Sequence, residues 1–492
     1  MKAINSKIAL LNNLISRGLL YIVPILMLAS CEGFLEEDPK DRVAQNNFYL
    51  NAQDAEAAVN SVYAYLGSYS TGSTAGIYHS TFWVTVGLAS DEMDNNQLGT
   101  FWNDELSTFS HNAENPNMQE IWEMHYKTIF LANIAIDRIP LISMDETLRS
   151  RLVNEAKFLR GLLYFNLVRM YGQVPLLLSE ESPLYPEASG TDDIYAQIIQ
   201  DLKDAENLPE KGSIENGRAT KGAAKSLLAK VYLTTGDYEN ASTKALEVIN
   251  SGTYELWENF SEVFKLSSRN GKEAVFSVGF GDADGAISFW EAGQFNVRLL
   301  PAELSRVRAA VSNTHGWQIP TLDLYNAFSA NDQRRAVTFM TEIVADDGDV
   351  VRLERPHIQK YWDSQADPTA GGSSNDFPVI RYAEVLLIYA EAQAALGNLG
   401  NGNQYLNMIR TRAGLEEANY TNREELEAAI LLERRKEFVA EGHRWFDLVR
   451  TERLEEEVES SKGITVNPIY NKFPVPQRER NVNPNLPQNA GY

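Results

Sequence analysis

Residues 220–252, TKGAAKSLLAKVYLTTGDYENASTKALEVINSG, have the pattern of two short helices joined by a tight turn. Gly236 and Asp237 mark the turn, since these residue types favour the backbone angles that turns require. Small alanines in both halves allow two antiparallel helices to approach closely. A hairpin of this kind cannot bury its apolar faces alone, so it must stack against similar units. The segment therefore predicts a scaffold of stacked helical hairpins.

The packing residues of this hairpin occupy the positions that a tetratricopeptide repeat uses. They are Leu228, Tyr232, Gly236, Tyr238, Ala241 and Ala245. Residues 385–414 repeat the plan less regularly, with Gly397 at the turn. We interpret both stripes as core packing, so they belong to the scaffold and not to a binding site.

Helical periodicity extends over much of the remaining chain. Further helices are predicted at 53–66, 117–139, 143–171 and 192–209. Ser143 and Glu146 form a capping box at the start of the third of these, and Pro209 ends the fourth. The predicted scaffold helices thus cover about 40–66, 117–252 and 378–455.

Two long intervals, 67–116 and 253–376, break the helical pattern. Both are rich in Gly, Ser, Asn, Asp and aromatic residues, and 273–280 (EAVFSVGF) resembles a strand. Long structureless loops are rare in compact domains, and the aromatic content argues against disorder. The predicted fold class is all-α, a tetratricopeptide-like helical repeat scaffold with irregular, partly β insertions that bind the ligand.

The N-terminus has the pattern of an export signal. Residues 1–30 contain three basic residues and no acidic one, and 18–29 (GLLYIVPILMLA) is apolar but too short to span a bilayer. The sequence then reads Leu28-Ala29-Ser30-Cys31, which resembles a bacterial lipobox, and Cys31 is the one cysteine of the chain. We predict a signal peptide at 1–30, lipidation of Cys31, and a single domain at 31–492. The alternative is ordinary secretion with an incidental cysteine.

The charge of the chain limits its partners. The formal net charge is −23, and removal of residues 1–30, with three basic residues, makes it −26. A field of this sign opposes phosphate backbones and anionic lipid surfaces, so nucleic acid is not an expected partner. The lipid anchor remains as the expected membrane contact.

The segment 429–450, AILLERRKEFVAEGHRWFDLVR, mixes charges with a regular apolar stripe. We predict a helix capped by Thr421 and Glu424, on which Arg435 lies on the apolar face and must be paired. Glu384 and Glu391 are its candidate partners. A catalytic or metal cluster of acidic residues and His443 is the alternative to a buried ion network, and we favour the network.

These segments together resemble the SusD/RagB family of outer-membrane nutrient-binding lipoproteins. The resemblance rests on six segments in order: Cys31 with Phe34-Leu35-Glu36 and Pro39, then 155–177, 220–252, 378–392, 433–450 and the ending 473–492. It is weak at 180–190 and 253–376, the segments expected to set the choice of ligand.

The resemblance implies a protein that is lipid-anchored in the outer membrane and faces the cell exterior. The acidic residues that follow Cys31, Glu32 and Glu36-Glu37-Asp38, resemble a surface-export signal. Family members capture oligosaccharides, in some cases peptides, for a TonB-dependent transporter of the SusC/RagA type. They are binders and not enzymes, so no catalytic residue, metal or cofactor is expected.

Sugar rings are bound by aromatic faces and by planar polar groups around their hydroxyls. Of the eight tryptophans, Trp122 and Trp445 lie in core-like helices, and Trp257 is expected to be structural. The irregular insertions contain the rest, namely Trp83, Trp102, Trp290, Trp317 and Trp362. We predict the site where 67–116 and 253–320 meet over the scaffold.

The predicted platforms are Trp102, Trp290 and Trp317, with Trp83 behind them. Asn103 and Asp104 follow Trp102 and are candidates for bonding sugar hydroxyls. Gly316, directly before Trp317, is expected to let a ligand approach the backbone.

Three other functions compete with glycan binding. A glycoside hydrolase needs two suitably spaced carboxylates, and Asp91, Glu92 and Asp94 are the nearest candidates, although we favour a turn or a solvated loop as their explanation. A peptide-binding member of the same family and a ligand-free assembly scaffold are the others. The six histidines have no metal-ligand spacing, and the P-loop and G-x-S-x-G motifs are absent.

Overall fold

A computed structural model describes residues 48–67, 76–281, 292–364 and 372–492. Residues 51–492 form one compact unit. The predicted signal peptide, Cys31 and Trp290 lie outside the described residues. No helix within the described ranges is long and apolar enough to cross a membrane.

The described residues are mainly helical, which confirms the predicted fold class. They contain eighteen α-helices: α1 (Ala52–Gly67), α2 (Thr81–Leu88), α3 (Phe101–Ser107), α4 (Pro116–Arg138), α5 (Glu146–Tyr171), α6 (Thr191–Ala205), α7 (Lys221–Thr234), α8 (Tyr238–Asn250), α9 (Phe295–Leu299), α10 (Ala302–Val307), α11 (Leu322–Asn326), α12 (Arg334–Thr338), α13 (Tyr382–Ala395), α14 (Leu399–Arg412), α15 (Arg423–Glu437), α16 (Arg444–Arg450), α17 (Leu454–Lys462) and α18 (Gln477–Val482).

Six short strands in the described ranges form three antiparallel pairs. They are β1 (Met93–Asn95) with β3 (Gln318–Pro320), β2 (Ala274–Val278) with β6 (Phe377–Arg381), and β4 (Phe339–Val344) with β5 (Val350–Ile358). Each pair includes at least one strand from the predicted insertions, and β2 confirms the strand expected at 273–280.

The α7–α8 hairpin forms as predicted. Gly236 has a φ of +76°, a conformation that favours glycine, and Asp237 caps α8 by accepting a hydrogen bond from the backbone N–H of Asn240. The alanines at 241 and 245 are buried between helices. The second predicted hairpin is α13–α14, with Gly397 at a φ of +80° in its turn.

Two predicted helix caps are wrong by one or two residues. The carboxylate of Asp145 caps α5 by accepting from the Leu148 N–H at 2.9 Å, in place of Ser143. The side chain of Asn422, and not that of Thr421, caps α15. It accepts hydrogen bonds from the backbone N–H groups of Glu424 and Glu425. Asp and Asn are strong cap residues, and the carboxylate also complements the positive helix end.

The C-terminal segment is two helices and not one. α15 ends at Glu437, and α16 begins at Arg444 after a turn in which Ala440 and Gly442 have φ values of +58° and +73°. Leu432, on the apolar stripe of the sequence, is therefore 45% exposed. Gly442 is required by this turn conformation, since a Cβ there would meet side chains only at ordinary distances.

Charged residues of this segment form a buried ion network, as predicted. Glu437 accepts from Arg334, Arg381 and Arg412, and Glu441 accepts from Lys360 and Arg381. These guanidiniums hold the pKa of Glu437 well below its usual range, against the effect of burial. The network joins α15 to residues from α12, β6 and α14.

The predicted partners of Arg435 are wrong. Arg435 pairs with Asp91 at 3.0 Å and with Asp323 at 2.7 Å. Glu384 lies instead within 2.9 Å of Lys230, and Glu391 pairs with Arg450. Arg435 lies on the side of α15 that faces the segment before β1, whereas its neighbour Arg434 lies 3.5 Å from Glu384 on α13.

Candidate functional site

Strands β1 and β3 bring the two irregular intervals together, as predicted. Met93 pairs with Pro320 and Asn95 with Gln318. The contact continues past the strands, where the Asn96 backbone N–H donates to the Trp317 carbonyl at 2.7 Å. The Asn96 side chain donates to the Gly316 carbonyl at 3.0 Å. Trp317 is therefore held beside the loop that leads into α3.

Asp91 and Glu92 anchor this strand pair to the C-terminal helices. Asp91 accepts two hydrogen bonds from Arg444, both at 2.8 Å, and Glu92 accepts from the Ala440 N–H. Burial alone would raise the pKa of Asp91, but Arg444 and Arg435 lower it. Burial raises the pKa of Glu92 to about 7. Both side chains are buried, so neither the solvated loop nor the open catalytic pair describes them.

Trp317 is one layer of a stack. The imidazole of His315 lies parallel to the Trp317 indole, with 4.8 Å between ring centroids and an interplanar angle of 7°. The guanidinium carbon of Arg298, from α9, lies 5.3 Å from the Trp317 ring centroid. His315 is exposed, whereas Trp317 and Arg298 are half-buried. The stack thus presents an aromatic surface to solvent.

Trp102 lies on α3, beyond the same loop. Its carbonyl accepts from the Asn115 side chain at 2.9 Å, which ties α3 to the cap of α4. Trp102 is half-buried and packs edge-on against Phe101, which is 61% exposed. Leu98, in the loop, is 98% exposed. Leu98 and Phe101 thus place two exposed apolar side chains within four residues of Trp102 in the sequence.

Trp83 does not belong to this surface. It is 0% exposed, lies in α2, and stacks on Phe295 at 5.6 Å between ring centroids. Its ring has no face open to a ligand, so the structure corrects the prediction to a core role. Trp122 and Trp445 are buried, as predicted.

The polar neighbours expected around the tryptophans mostly have structural partners. Asn103 is buried and accepts from the Asn117 side chain at 3.1 Å, while Asp104 is exposed and accepts from Asn95 at 2.7 Å. Gly316 has a φ of +58°, and a Cβ there would overlap the His357 imidazole. The close approach at Gly316 is thus made by His357 and not by a ligand.

Sequence reasoning missed His315, Arg298, Phe101 and Leu98. Two of them lie close to a predicted platform in the sequence: His315 precedes Trp317 by two residues, and Phe101 directly precedes Trp102. Adjacent aromatic residues in a polar stretch were the available signal. Arg298 carried none, because its position beside Trp317 depends on the fold.

A cavity of about 490 Å³ opens elsewhere, at the turn of the α7–α8 hairpin. Tyr238, Arg423 and Glu427 line it, together with the Arg450–Glu391 ion pair. Its volume is in the range of small-ligand pockets. Trp83, Trp102 and Trp317 do not line this cavity, so it serves as a comparison site for the aromatic surface. Among the described side chains, no group of three His, Cys, Asp or Glu is arranged to hold a metal ion.

Stacked helical hairpins that hold an aromatic surface on short insertions define a binding protein on a helical-repeat scaffold. The chain matches the SusD family over residues 353–492, and a family described as starch-binding and associating with the outer membrane over 33–233. It is 30% identical to SusD-like protein P2 of Formosa agariphila, covering 96% of this chain and 99% of that protein. The chain therefore belongs to the SusD family.

Solved structures agree with this assignment. A SusD-like protein from Bacteroides fragilis superposes with a TM-score of 0.79 at 24% identity, covering 93% of this chain and 100% of that one. A laminarin-binding SusD-like protein superposes with a TM-score of 0.77 at 27% identity, covering 90% and 100%. The fold is shared over nearly the whole chain.

Proposed function

We propose that this protein binds oligosaccharides or polysaccharide at the surface formed by the His315–Trp317 stack, Phe101 and Trp102. The observation that carries the proposal is this surface, in which aromatic rings are open to solvent and fixed by the β1–β3 pair. Family membership and a laminarin-binding structural relative support glycan as the ligand. Trp290, which lies outside the described residues, stays a predicted member of the site.

Rigid support favours binding at this surface over binding at a mobile loop. Arg444 and Lys462 hold the backbone around β1, with Lys462 donating to the carbonyls of Leu88 and Met93 at 3.0 and 2.7 Å. Rings that are already ordered lose little conformational entropy when a ligand binds. The scaffold thus prepares the aromatic surface before ligand arrives.

Replacing Trp317 or Trp102 by alanine is expected to weaken glycan binding about tenfold or more without lowering the melting temperature. Stacking on an aromatic ring is worth about 1–3 kcal/mol for nucleobases, and 1.4 kcal/mol corresponds to a factor of ten. The backbone bonds that hold both residues remain in the alanine variants. Calorimetric titration with the tightest-binding oligosaccharide of a panel, beside melting curves, measures both effects.

The matched control is Tyr238→Ala, which removes an aromatic ring from the 490 Å³ cavity. Its affinity should equal that of the wild type. If both tryptophan variants bound glycan with wild-type affinity and the Tyr238 variant bound it more weakly, the binding site would be that cavity.

We propose further that the protein is a lipoprotein, anchored through Cys31 at the outer face of the outer membrane, and that it delivers glycan to a SusC/RagA-like TonB-dependent transporter. The lipobox pattern supports the anchor. Membranes extracted with mild detergent should yield the wild-type protein together with a transporter. Cys31→Ala should instead leave a folded protein in the soluble fraction, and membrane association that survives this substitution would refute the anchor.

Binding without turnover is the expected chemistry. The acidic residues considered for hydrolysis are engaged as anchors: Asp91 with Arg444, Glu92 with Ala440, and Asp94 with Arg355 at 3.1 Å. Chromatography of a bound oligosaccharide after long incubation should show it unchanged. Release of shorter products that depends on Asp91 or Glu92 would favour a glycoside hydrolase instead.

A further inference from the structure

We infer that the glycan recognised at this surface carries an acidic group, a carboxylate or a sulfate ester, and that Arg298 binds it. The inference rests on the proposed function and names the chemical class of its ligand. It starts from the contacts of Arg298, which lies against Trp317 at the base of the aromatic surface.

Arg298 is a charged side chain without a hydrogen-bond acceptor in the described part of the chain. Its Nε is buried and makes no hydrogen bond, and the guanidinium makes no ion pair with any described carboxylate. Buried charged groups are normally paired, since an unpaired one loses its hydration without compensation. Three fully buried arginines, Arg334, Arg381 and Arg412, each bind two or more carboxylates. Arg169, half-buried like Arg298, donates to the Phe165 carbonyl and the Asn166 side chain. Arg298 has neither kind of partner among the described residues.

Glu120 is the acidic residue that affects the pKa of Arg298, but its carboxylate makes no hydrogen bond with the Arg298 guanidinium. Glu120 lies on α4 and accepts a hydrogen bond from the Thr81 hydroxyl at 2.8 Å. Burial lowers the pKa of Arg298 to about 10, an effect that Glu120 only partly offsets. The guanidinium therefore stays protonated at neutral pH, and no described acceptor engages it.

The position of Arg298 matches the needs of an acidic sugar. A guanidinium presents planar, forked donors that match a carboxylate or a sulfate, and it can do so while it stacks on an aromatic face. The exposed imidazole of His315 lies on the same indole. A sugar ring bound at the edge of Trp317 would lie next to the one cation within 5.3 Å of that ring centroid in the described structure.

The overall negative charge of the chain does not exclude such a ligand. Charges farther apart than about 8 Å are largely screened at physiological ionic strength. A direct contact with a partly buried guanidinium is screened much less. The net charge of −23 therefore slows association at low salt, while Arg298 determines which glycan is retained.

The test compares matched pairs of glycans on the wild-type protein. Oligogalacturonate is titrated beside its carboxyl-reduced form, and a dextran sulfate oligosaccharide beside unsulfated dextran, with laminari-oligosaccharide as a neutral reference. At least one acidic probe should bind about ten- to a hundredfold more tightly than its neutral partner, the range expected for a hydrogen bond to a charged group. Which pair shows the difference distinguishes carboxylate from sulfate.

Arg298→Met should abolish that preference, and Arg298→Lys should restore part of it. The matched control is Arg335→Met, because Arg335 also lies on an aromatic ring, 4.4 Å from the Tyr325 centroid, but away from the site. It should keep the wild-type preference. The wild-type titrations need no variant, so they decide the question even if Arg298→Met fails to fold.

Two results would overturn the inference, and they differ in what they say of the proposed function. If neutral glycans bind in a Trp317-dependent manner and acidic probes gain nothing, the protein is a glycan binder and Arg298 is structural. If no glycan in the panel binds, the proposed function fails as well.

Discussion

Glu437→Gln is expected to lower the free energy of unfolding by about 3–5 kcal/mol, the cost of breaking a buried ion network by removing one partner. The substitution leaves Arg334, Arg381 and Arg412 without the carboxylate that they share. All four side chains are buried, so water cannot replace the lost charge. Urea titration of both proteins at pH 7 measures the difference.

The pH dependence of this difference has a definite sign. Because the folded-state pKa of Glu437 lies below its unfolded value, its contribution is complete above about pH 4.3. It is lost as the pH falls through the folded-state pKa. The two proteins should therefore converge in stability under strongly acidic conditions.

The control for Glu437 is Glu455→Gln on α17, which makes the same chemical change at an exposed position. Surface changes of this kind usually stay within about 0.5 kcal/mol. Equal stability of the two variants at pH 7 would show that the network does not hold the C-terminal helices in place.

Trp83→Ala is expected to cost about 3–5 kcal/mol of unfolding free energy, as is usual when a large buried aromatic side chain is truncated. The cavity would form between α2 and Phe295, where the ring now stacks. Trp317→Ala should instead lower affinity and spare the fold. Melting curves and calorimetry on the two variants separate a core role from a binding role. If Trp83→Ala kept full stability and weakened glycan binding, Trp83 would be a binding platform after all.

The burial of Trp83 could have been predicted from the residues around it. It lies in TFWVTVGL, which is apolar on every side once it is helical, and a helix that is apolar all round is buried. The sequence did not reveal this helix, because α2 has only eight residues and lies in an interval with weak periodicity. The other predicted platforms differ, since Trp102 and Trp317 have polar neighbours in sequence.

Local patterns predicted what short-range contacts decide. The α7–α8 hairpin follows from Gly236, Asp237 and the spacing of small residues, all within the segment 220–252. The break between α15 and α16 was not predicted, because the seven-residue spacing of apolar side chains continues through it. What fixes the break is distant in sequence: the Ala440 N–H donates to Glu92, from the segment before β1.

The same limit applied to charge pairing and to the site. The sequence required a partner for Arg435 but could not choose Asp91 over Glu384, because that choice depends on which side of α15 faces the segment before β1. The meeting of the two insertions was predictable from their composition. The Arg298 contact was not, because it joins α9 to Trp317 through the fold.

A structure of the protein with its tightest-binding oligosaccharide tests the central claim most directly. We expect a sugar ring in van der Waals contact, within about 4 Å, with the His315–Trp317 stack or with Phe101 and Trp102. A ligand seated in the 490 Å³ cavity beside Tyr238, with those rings left free, would contradict the account.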